Sequence, residues 1–598
     1  MKPAIEILTR LQKNSKNNHE EVFTKLFRYL LRPDIYYVAY QNLYANNGAS
    51  TKGVNEDTAD GFGEEKVNAI IEALRNGTYK PEPVRRTYIK KKNGKLRPLG
   101  LPTFTDKLVQ DAIRMVLQAV YEPIFSNYSH GFRPGRSCHT ALAQLKHEFV
   151  GAKWFVEGDI KGCFDNIDHS VLLGIIGRKI KDARLLNLIR SFLEAGYMED
   201  WKYYGTYSGS PQGGIISPIL ANIYLNELDR FVDNLKGSFD TKTPYTLTPE
   251  YKALQMKRAN TKRKIDRREP GEERDKLIAD YVAIGKELRK TPAKLCNDKK
   301  LKYVRYADDF LISVNGSKED CEWIKAQLTD FIRNTLKMEL SQEKTLITHS
   351  NNCARFLGYD VRVRRDQQVK PWKNCKQRTL NNTVELLIPL KDKIERYLFE
   401  KNVVTQRADN GKLEPVARID LIRHTDLEIV TIYDAELRGL CNYYYLASNY
   451  RSLNYFSYLM EYSCLKTLAR KHKCKLSAIY DKYRTGQKRW GIPYETKTGK
   501  KTRYLTKFNE IDGNKCDDIQ PAIVTVITKG RTTIDSRLKA RRCELCGFEG
   551  KDRKYEVHHV NKVKNLKGKE PWEVVMIAKR RKTLVLCHEC HQKIHHGF

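Results

Sequence analysis

The sequence predicts a multidomain chain, α/β in its first part, α-helical in its middle and closed by a small Cys/His-rich module. Three observations carry this. A chain of 598 residues is too long for one hydrophobic core. Two strand-like runs in the first half carry carboxylates, Trp154-Phe155-Val156-Glu157-Gly158-Asp159-Ile160 and Tyr303-Val304-Arg305-Tyr306-Ala307-Asp308-Asp309-Phe310-Leu311-Ile312. Two Cys-x₂-Cys pairs, Cys543/Cys546 and Cys587/Cys590, stand near the C-terminus.

The elements follow in order. Residues 1–80 read as mostly helical, with helix-start signals at Asn55-Glu56-Asp57-Thr58 and Phe62-Gly63-Glu64-Glu65. Residues 84–100 read as a hairpin turning at Asn93-Gly94. A helical pattern fills 103–150, and a strand over 153–165 runs into a glycine turn. Further helices lead to the loop Ser208-Gly209-Ser210-Pro211-Gln212-Gly213-Gly214, then a helix through Leu228. A charged, helical stretch over about 235–300, containing Lys257-Arg258-Ala259-Asn260-Thr261-Lys262-Arg263-Lys264, reads as an insertion before the Asp-Asp hairpin. After about residue 365 the texture is all-helical and Tyr-rich, with Tyr443, Tyr444, Tyr445, Tyr450, Tyr455, Phe456, Tyr458 and Tyr462 close together. Most of these aromatics read as core, because tyrosine at helical spacing usually is. Residues 485–540 are polar and basic, and no internal repeat is present.

Composition narrows the partners. The formal net charge is +36, from 108 Lys+Arg against 72 Asp+Glu, and the excess runs along the whole chain. Such a field favours a polyanion held by salt-dependent contacts. The 34 Tyr suit stacking on unpaired bases. Charge alone leaves RNA, DNA and an anionic membrane open. The sequence has no run of 18 or more apolar residues and no signal-peptide pattern, so no membrane is expected and the expected location is a bacterial cytoplasm, nucleoid-associated through DNA. Ten of the 14 Cys are scattered, as reduced intracellular thiols are.

Asp308 and Asp309 sit at the tip of the predicted hairpin, where adjacent like charges repel. A divalent cation would relieve them, and hard carboxylate oxygens suit Mg²⁺. Taken alone, the pair is equally a solvated turn. Asp159 changes the balance as a third acid at the end of an apolar strand, because three carboxylates on neighbouring strands can hold two Mg²⁺ ions ~4 Å apart.

At this point the chain resembles the reverse transcriptases encoded by group II introns, specifically the LtrA-type maturase–endonuclease class. Asp159, Tyr306-Ala307-Asp308-Asp309, and Pro211-Gln212-Gly213-Gly214 with Ser217-Pro218 match that family's motifs. Arg32-Pro33-Asp34-Ile35-Tyr36-Tyr37-Val38-Ala39-Tyr40 and Leu437-Arg438-Gly439-Leu440-Cys441-Asn442-Tyr443-Tyr444 look like it too. The resemblance implies a right-hand polymerase fold with fingers and ferredoxin-like palm, a helical thumb, and a C-terminal zinc-containing ββα-metal HNH domain. It implies catalytic Asp159, Asp308 and Asp309, and Phe164 packed against the site of a ribose 2′-hydroxyl. Lys91 and Arg97 would clamp the triphosphate, and Gln212 and Gly213 would line the nucleotide pocket. Lys344 would protonate pyrophosphate, and Phe356-Leu357-Gly358-Tyr359 matches the primer-grip turn. Arg438, Arg451, Lys466, Arg470 and Lys471 are candidates for phosphate contact in the maturase region.

The terminal module carries its own chemistry. Cys543, Cys546, Cys587 and Cys590 fit a tetrahedral structural Zn²⁺ site. Six of the chain's 14 His fall between residues 558 and 596. The region resembles an HNH endonuclease, which implies His559 as general base and His558, His591 and His595 as ligands of a divalent ion such as Mg²⁺. Lys582 stands where that pattern has its central Asn, with Asn561 and Asn565 as substitutes, and His588 and His596 could compete as ligands. A zinc-stabilised DNA-binding knob without cleavage is the plainer alternative. Basic and aromatic residues over 485–540, among them Lys488-Arg489-Trp490, Lys497-Thr498-Gly499-Lys500-Lys501-Thr502-Arg503-Tyr504 and Lys507, suit DNA backbone contact.

The expected division is an N-terminal extension at 1–80, fingers and palm at 81–365, thumb and maturase at 366–484, a DNA-binding region at 485–540 and the HNH domain at 541–598. The expected partners are the chain's own intron RNA, double-stranded target DNA and dNTPs; a homodimer is left open. Two rivals remain. A splicing factor with a decayed polymerase is disfavoured by the intact Asp159, Asp308, Asp309 and Phe164. A reverse transcriptase of another element is disfavoured by the long helical region and the terminal module.

Overall fold

The computed structural model describes residues 3–596 except 91–93, 95, 200–201, 206–208, 210–212, 242–246, 292, 294–297, 367–368, 373–374, 379–380, 487–488, 497–498 and 512–532. A four-stranded antiparallel sheet stands at its centre, in the order Lys300–Tyr306, Asp309–Asn315, Trp154–Asp159, Ile347–His349. These strands are rich in β-branched and aromatic residues, and their middle positions are mostly buried. The helices Ser217–Phe239 and Lys318–Asn334 pack on it and on each other, with Phe231 stacked on Phe331 at 4.2 Å. The helix Phe104–Tyr121 is buried almost all round and is capped by the Thr103 side chain, which accepts from the Asp106 N–H.

The hairpin predicted over 84–100 forms, pairing Val84–Lys90 with Leu96–Leu101. Its Gly94 has φ +79°, while Asn93 lies outside the described residues. The helix predicted to end at Leu228 runs to Phe239, because Val232, Leu235 and Phe239 continue its apolar face into the core. Within the expected insertion, Pro249–Asp266 and Glu272–Lys290 pack against each other as a helical pair, and the first of them buries no residue.

Three expectations are corrected. Asn55–Thr58 starts no helix. The Asn55 side chain accepts from the Asp57 N–H, and Asp57 accepts from the backbone N–H and hydroxyl of Thr105 in a distant helix. The region after 365 is not all-helical. Tyr359–Val363 pairs with Val384–Leu387, Val369–Trp372 with Cys375–Arg378, and Val404–Gln406 with Leu413–Pro415. Long helices begin only at Asp426–Tyr443 and Leu453–Lys471. The tyrosines are not mostly core either: Tyr444 and Phe456 are buried, but Tyr455, Tyr458 and Tyr462 are 53%, 47% and 37% exposed.

The apolar residues form two cores. One runs from the N-terminal helix Ala4–Asn17 through the central sheet and includes Ile534, Leu538, Val557 and Val585 of the terminal module. The other joins the far side of the sheet to the helices beyond Asp426 and to the sheet Arg484–Gly486, Arg489–Thr496, Gly499–Tyr504. The terminal module is built from antiparallel strands Tyr555–His559 and Thr583–Cys587 followed by the helix His588–His596. A short strand from the N-terminal region, Phe62–Gly63, adds to its edge.

Candidate active sites

The acidic hairpin forms as the sequence predicts. Tyr306 pairs with Asp309 across a two-residue turn, and Ala307 in that turn has φ +55°. The register then sets Asp309 directly opposite Asp159 on the neighbouring strand. Carboxylates distant in sequence thus meet at one end of the sheet. Burial, then the charges of Asp159 and Asp308, push the Asp309 carboxyl up to about 7. Burial and Asp159 also raise Asp308, against the pull of Lys344 and Arg97. Half-buried acids opposed in this way suit hard divalent cations.

Neighbouring residues frame the cluster. Lys344 Nζ lies 2.7 Å from Asp159 Oδ2. Phe164 is half-buried on the turn after Asp159, its ring edge-on to Phe132 at 6.2 Å between centroids. Gly213 has φ +111°, and a Cβ there would meet the Gly100 carbonyl at 2.4 Å, so only glycine lets this loop lie against the hairpin strand that carries Arg97. Lys91 and Gln212 lie outside the described residues. The Leu357–Gly358 turn is left-handed at both residues, and the Tyr443 and Tyr444 hydroxyls donate to its two carbonyls. Two basic candidates are engaged inside the protein: Lys466 donates to the Pro415 carbonyl, and Lys471 to Asp426 and the His424 carbonyl.

The acidic turn has supports the sequence reading missed. Arg305 is fully buried and donates from Nε to Asp229 at 2.7 Å, from Nη1 to the Ala307 carbonyl at 2.8 Å and from Nη2 to Ser129 Oγ at 2.8 Å. Gly131 passes so close that a Cβ would lie 2.3 Å from the Ala307 nitrogen. The one sequence signal was an arginine inside an apolar strand next to the acids.

In the terminal module, Cys543, Cys546, Cys587 and Cys590 present sulfurs within 4.8 Å of one another. The Cys546 N–H donates to Cys543 Sγ, and backbone N–H groups outweigh burial in holding the Cys543 thiol below its ordinary value. Both features fit a thiolate metal site. The expected ligands His558, His591 and His595 also converge, with Asp60 as an unforeseen fourth member, all within 4.8 Å. His591 Nδ1 meets Glu556 Oε2 at 2.6 Å. Burial lowers the His591 imidazole, but Asp60 and Glu556 outweigh it and lift the ring to about 9. Burial would raise Asp60, yet the facing imidazoles of His558 and His591 hold it well below the usual carboxylate range. His588 is taken up by Glu556 Oε1 at 2.8 Å, which separates it from this group. His559 is buried beside it, and burial lowers its imidazole. The expected substitutes for the central Asn, Asn561 and Asn565, are exposed; the His559 ring instead meets the Tyr44 carbonyl.

Comparison with known proteins decides the family. The reverse transcriptase (RNA-dependent DNA polymerase) family matches residues 89–242 and 282–361, the type II intron maturase family 381–522, and the AI2M/AI1M-like HNH endonuclease family 543–591. The group II intron-encoded protein LtrA of Lactococcus lactis subsp. cremoris is 59% identical over 100% of both chains. The chain belongs to the group II intron-encoded reverse transcriptases. An uncharacterised 91 kDa protein of the cob intron in Schizosaccharomyces pombe is 34% identical over 99% of this chain and 72% of its own. A putative COX1/OXI3 intron 2 protein of Saccharomyces cerevisiae is 30% identical over 99% and 68%. This group II intron protein is therefore an RNA-directed DNA polymerase, an intron maturase and an HNH endonuclease, and membership implies that it engages intron RNA and DNA. The match to the reverse transcriptase family breaks between 242 and 282, where the exposed helical pair stands. Among the described residues, no helix is long and apolar enough to cross a membrane.

Proposed function

We propose that the protein acts as a ribonucleoprotein with its own intron RNA in retrohoming by target-primed reverse transcription. The opposition of Asp159 and Asp309 beside Asp308 carries this reading. In it the central sheet is the ferredoxin-like palm, the 84–101 hairpin belongs to the fingers, and the helices beyond Asp426 form the thumb. Asp159, Asp308 and Asp309 would hold two Mg²⁺ ions, which supply activation of the primer 3′-hydroxyl and neutralisation of the pyrophosphate. Arg97 and Lys91 clamp the dNTP phosphates. Gly213 and Gln212 shape the pocket around the base and sugar, and Phe164 blocks a 2′-hydroxyl. Lys344 holds a proton at Nζ for the leaving pyrophosphate.

In the terminal module the four cysteines would hold Zn²⁺ as a structural ion. His559 takes a proton from water at Nδ1, and His558, His591 and His595 would hold a divalent ion, which would supply stabilisation of charge on the leaving oxygen. The nick then offers the primer, and the basic stretch 485–540 contacts duplex DNA.

The test is primer extension on an RNA template with Mg²⁺ against EDTA. Wild-type protein makes cDNA only with Mg²⁺, and Asp308→Ala abolishes synthesis while RNA binding, read by filter retention, persists. Synthesis near the wild-type rate in that variant would sink the assignment.

A further inference from the structure

The nuclease site is not self-contained. We propose that it is shared between two distant parts of the chain, with Asp60 as the fourth ligand of its divalent cation and the Tyr44 carbonyl as the group that orients the general base. This rests on the HNH reading of His559 given above.

Three observations lead there. Asp60 Oδ1 stands 3.2 Å from His558 Nδ1, and Oδ2 stands 2.8 Å from His595 Nε2 and 3.3 Å from His591 Nε2. His558 is buried; its Nε2 has no hydrogen-bond partner, and its Nδ1 faces only the Asp60 carboxylate, without making a hydrogen bond to it. Such a ring is costly to bury unless something else uses its lone pair, and a cation between it and Asp60 does so. His591 offers Nε2 to the same point because its Nδ1 is held by Glu556. One carboxylate and three imidazoles suit a divalent transition ion, with coordination positions left for water and a phosphate oxygen.

Asp60 is not a loose side chain that happens to point this way. The Gly61 N–H donates to the Val557 carbonyl, and Phe62 and Gly63 pair with Val557 and Glu556. Phe62 is fully buried and stacks on Tyr40 at 4.1 Å. Gly61 has φ +72°, and a Cβ on Gly63 would lie 2.7 Å from the Tyr555 carbonyl, so both glycines are needed for this close approach. The strand that carries His558 and His559 is thereby fixed against the strand that follows Asp60.

The same segment settles His559. Its backbone N–H donates to Asp60 Oδ1 at 2.7 Å, and its ring Nε2 lies 2.9 Å from the Tyr44 carbonyl. A carbonyl can only accept, so Nε2 carries the hydrogen and Nδ1 keeps the lone pair that receives a proton from water. Lys582, which replaces the central Asn of the HNH pattern, donates to the neighbouring Ala45 carbonyl at 3.2 Å. It thus pins the segment that does the orienting.

The experiment uses the full-length protein. In an Asp308→Ala, Asp309→Ala background, which removes the polymerase carboxylates, Mn²⁺ affinity is measured by electron paramagnetic resonance. Adding Asp60→Asn, which keeps the side chain's shape, should weaken Mn²⁺ by about 10-fold or more. In the otherwise wild-type protein bound to intron RNA, Asp60→Asn and Asp60→Ala should lose target-strand nicking while primer extension and zinc content hold. If Asp60→Ala also loses primer extension, its fold has suffered and Asp60→Asn decides. Nicking and Mn²⁺ affinity unchanged in Asp60→Asn, while His559→Ala abolishes nicking, would overturn the shared site and leave the HNH reading standing. Nicking unchanged in His559→Ala would overturn that reading itself.

Discussion

Single residues set the chemistry of this protein through what stands beside them. Phe164 lies on the turn directly after Asp159 and is propped edge-on by Phe132. Replacing it with alanine removes the bulk opposed to a 2′-hydroxyl without touching an acid. Phe164→Ala should lower discrimination between dNTPs and rNTPs by about 10-fold or more, read as the ratio of kcat/KM in primer extension. Selectivity that stays at the wild-type value would return Phe164 to a packing role. Asp159, Asp308 and Asp309 were legible in the sequence because their evidence is local: acids at the ends of apolar strands. Asp60 was not. It stands in an unremarkable run, Thr58-Ala59-Asp60-Gly61, and only the pairing of residues 62–63 with 556–557 brings it to the histidines. Tyr44 acts through its backbone, which no side-chain pattern records.

At the level of elements, the acidic turn is a short hairpin held from behind. Arg305 ties the strand, the turn carbonyl of Ala307 and the helix residue Asp229 into one buried group, with the Tyr303 hydroxyl also donating to Asp229. Removing one partner leaves the other charge buried and unpaired. Arg305→Met should destabilise the polymerase body by about 3–5 kcal/mol and lower its melting temperature, measured calorimetrically. DNA synthesis should fall with it, because the turn carrying Asp308 loses its anchor; an unchanged melting curve would refute this. The strands over 359–415 escaped the sequence reading for a different reason. Val384-Glu385-Leu386-Leu387 contains good helix formers, but pairing with Tyr359–Val363 and the following Pro389 make it a strand. Local preference lost to a neighbour that sequence spacing cannot show. The helices Pro249–Asp266 and Glu272–Lys290 posed no such conflict, since charge-rich runs of helix formers with N-terminal proline and acids read the same way in isolation.

The whole molecule is divided by its two cores, and the division does not follow the chain. The last domain in sequence packs with the first helices, while the basic sheet over 484–504 packs with the helices beyond Asp426 through Trp490 on Glu461 and Arg503 on Asp434. Residues of the terminal module thus share a buried cluster with the N-terminal helices and the central sheet. The helical pair 249–290 stands outside both cores. Its connection, Arg267-Arg268-Glu269-Pro270-Gly271, is exposed throughout. Cargo spliced in at that tip, such as a small fluorescent domain, should fold at a distance from either catalytic centre and leave the melting temperature, cDNA yield and nicking at wild-type values. Loss of any of the three would show that the pair is braced against something it meets only in the ribonucleoprotein. Without that loss, the spur becomes a handle: a fixed point from which the particle can be tethered, pulled or watched while it copies RNA.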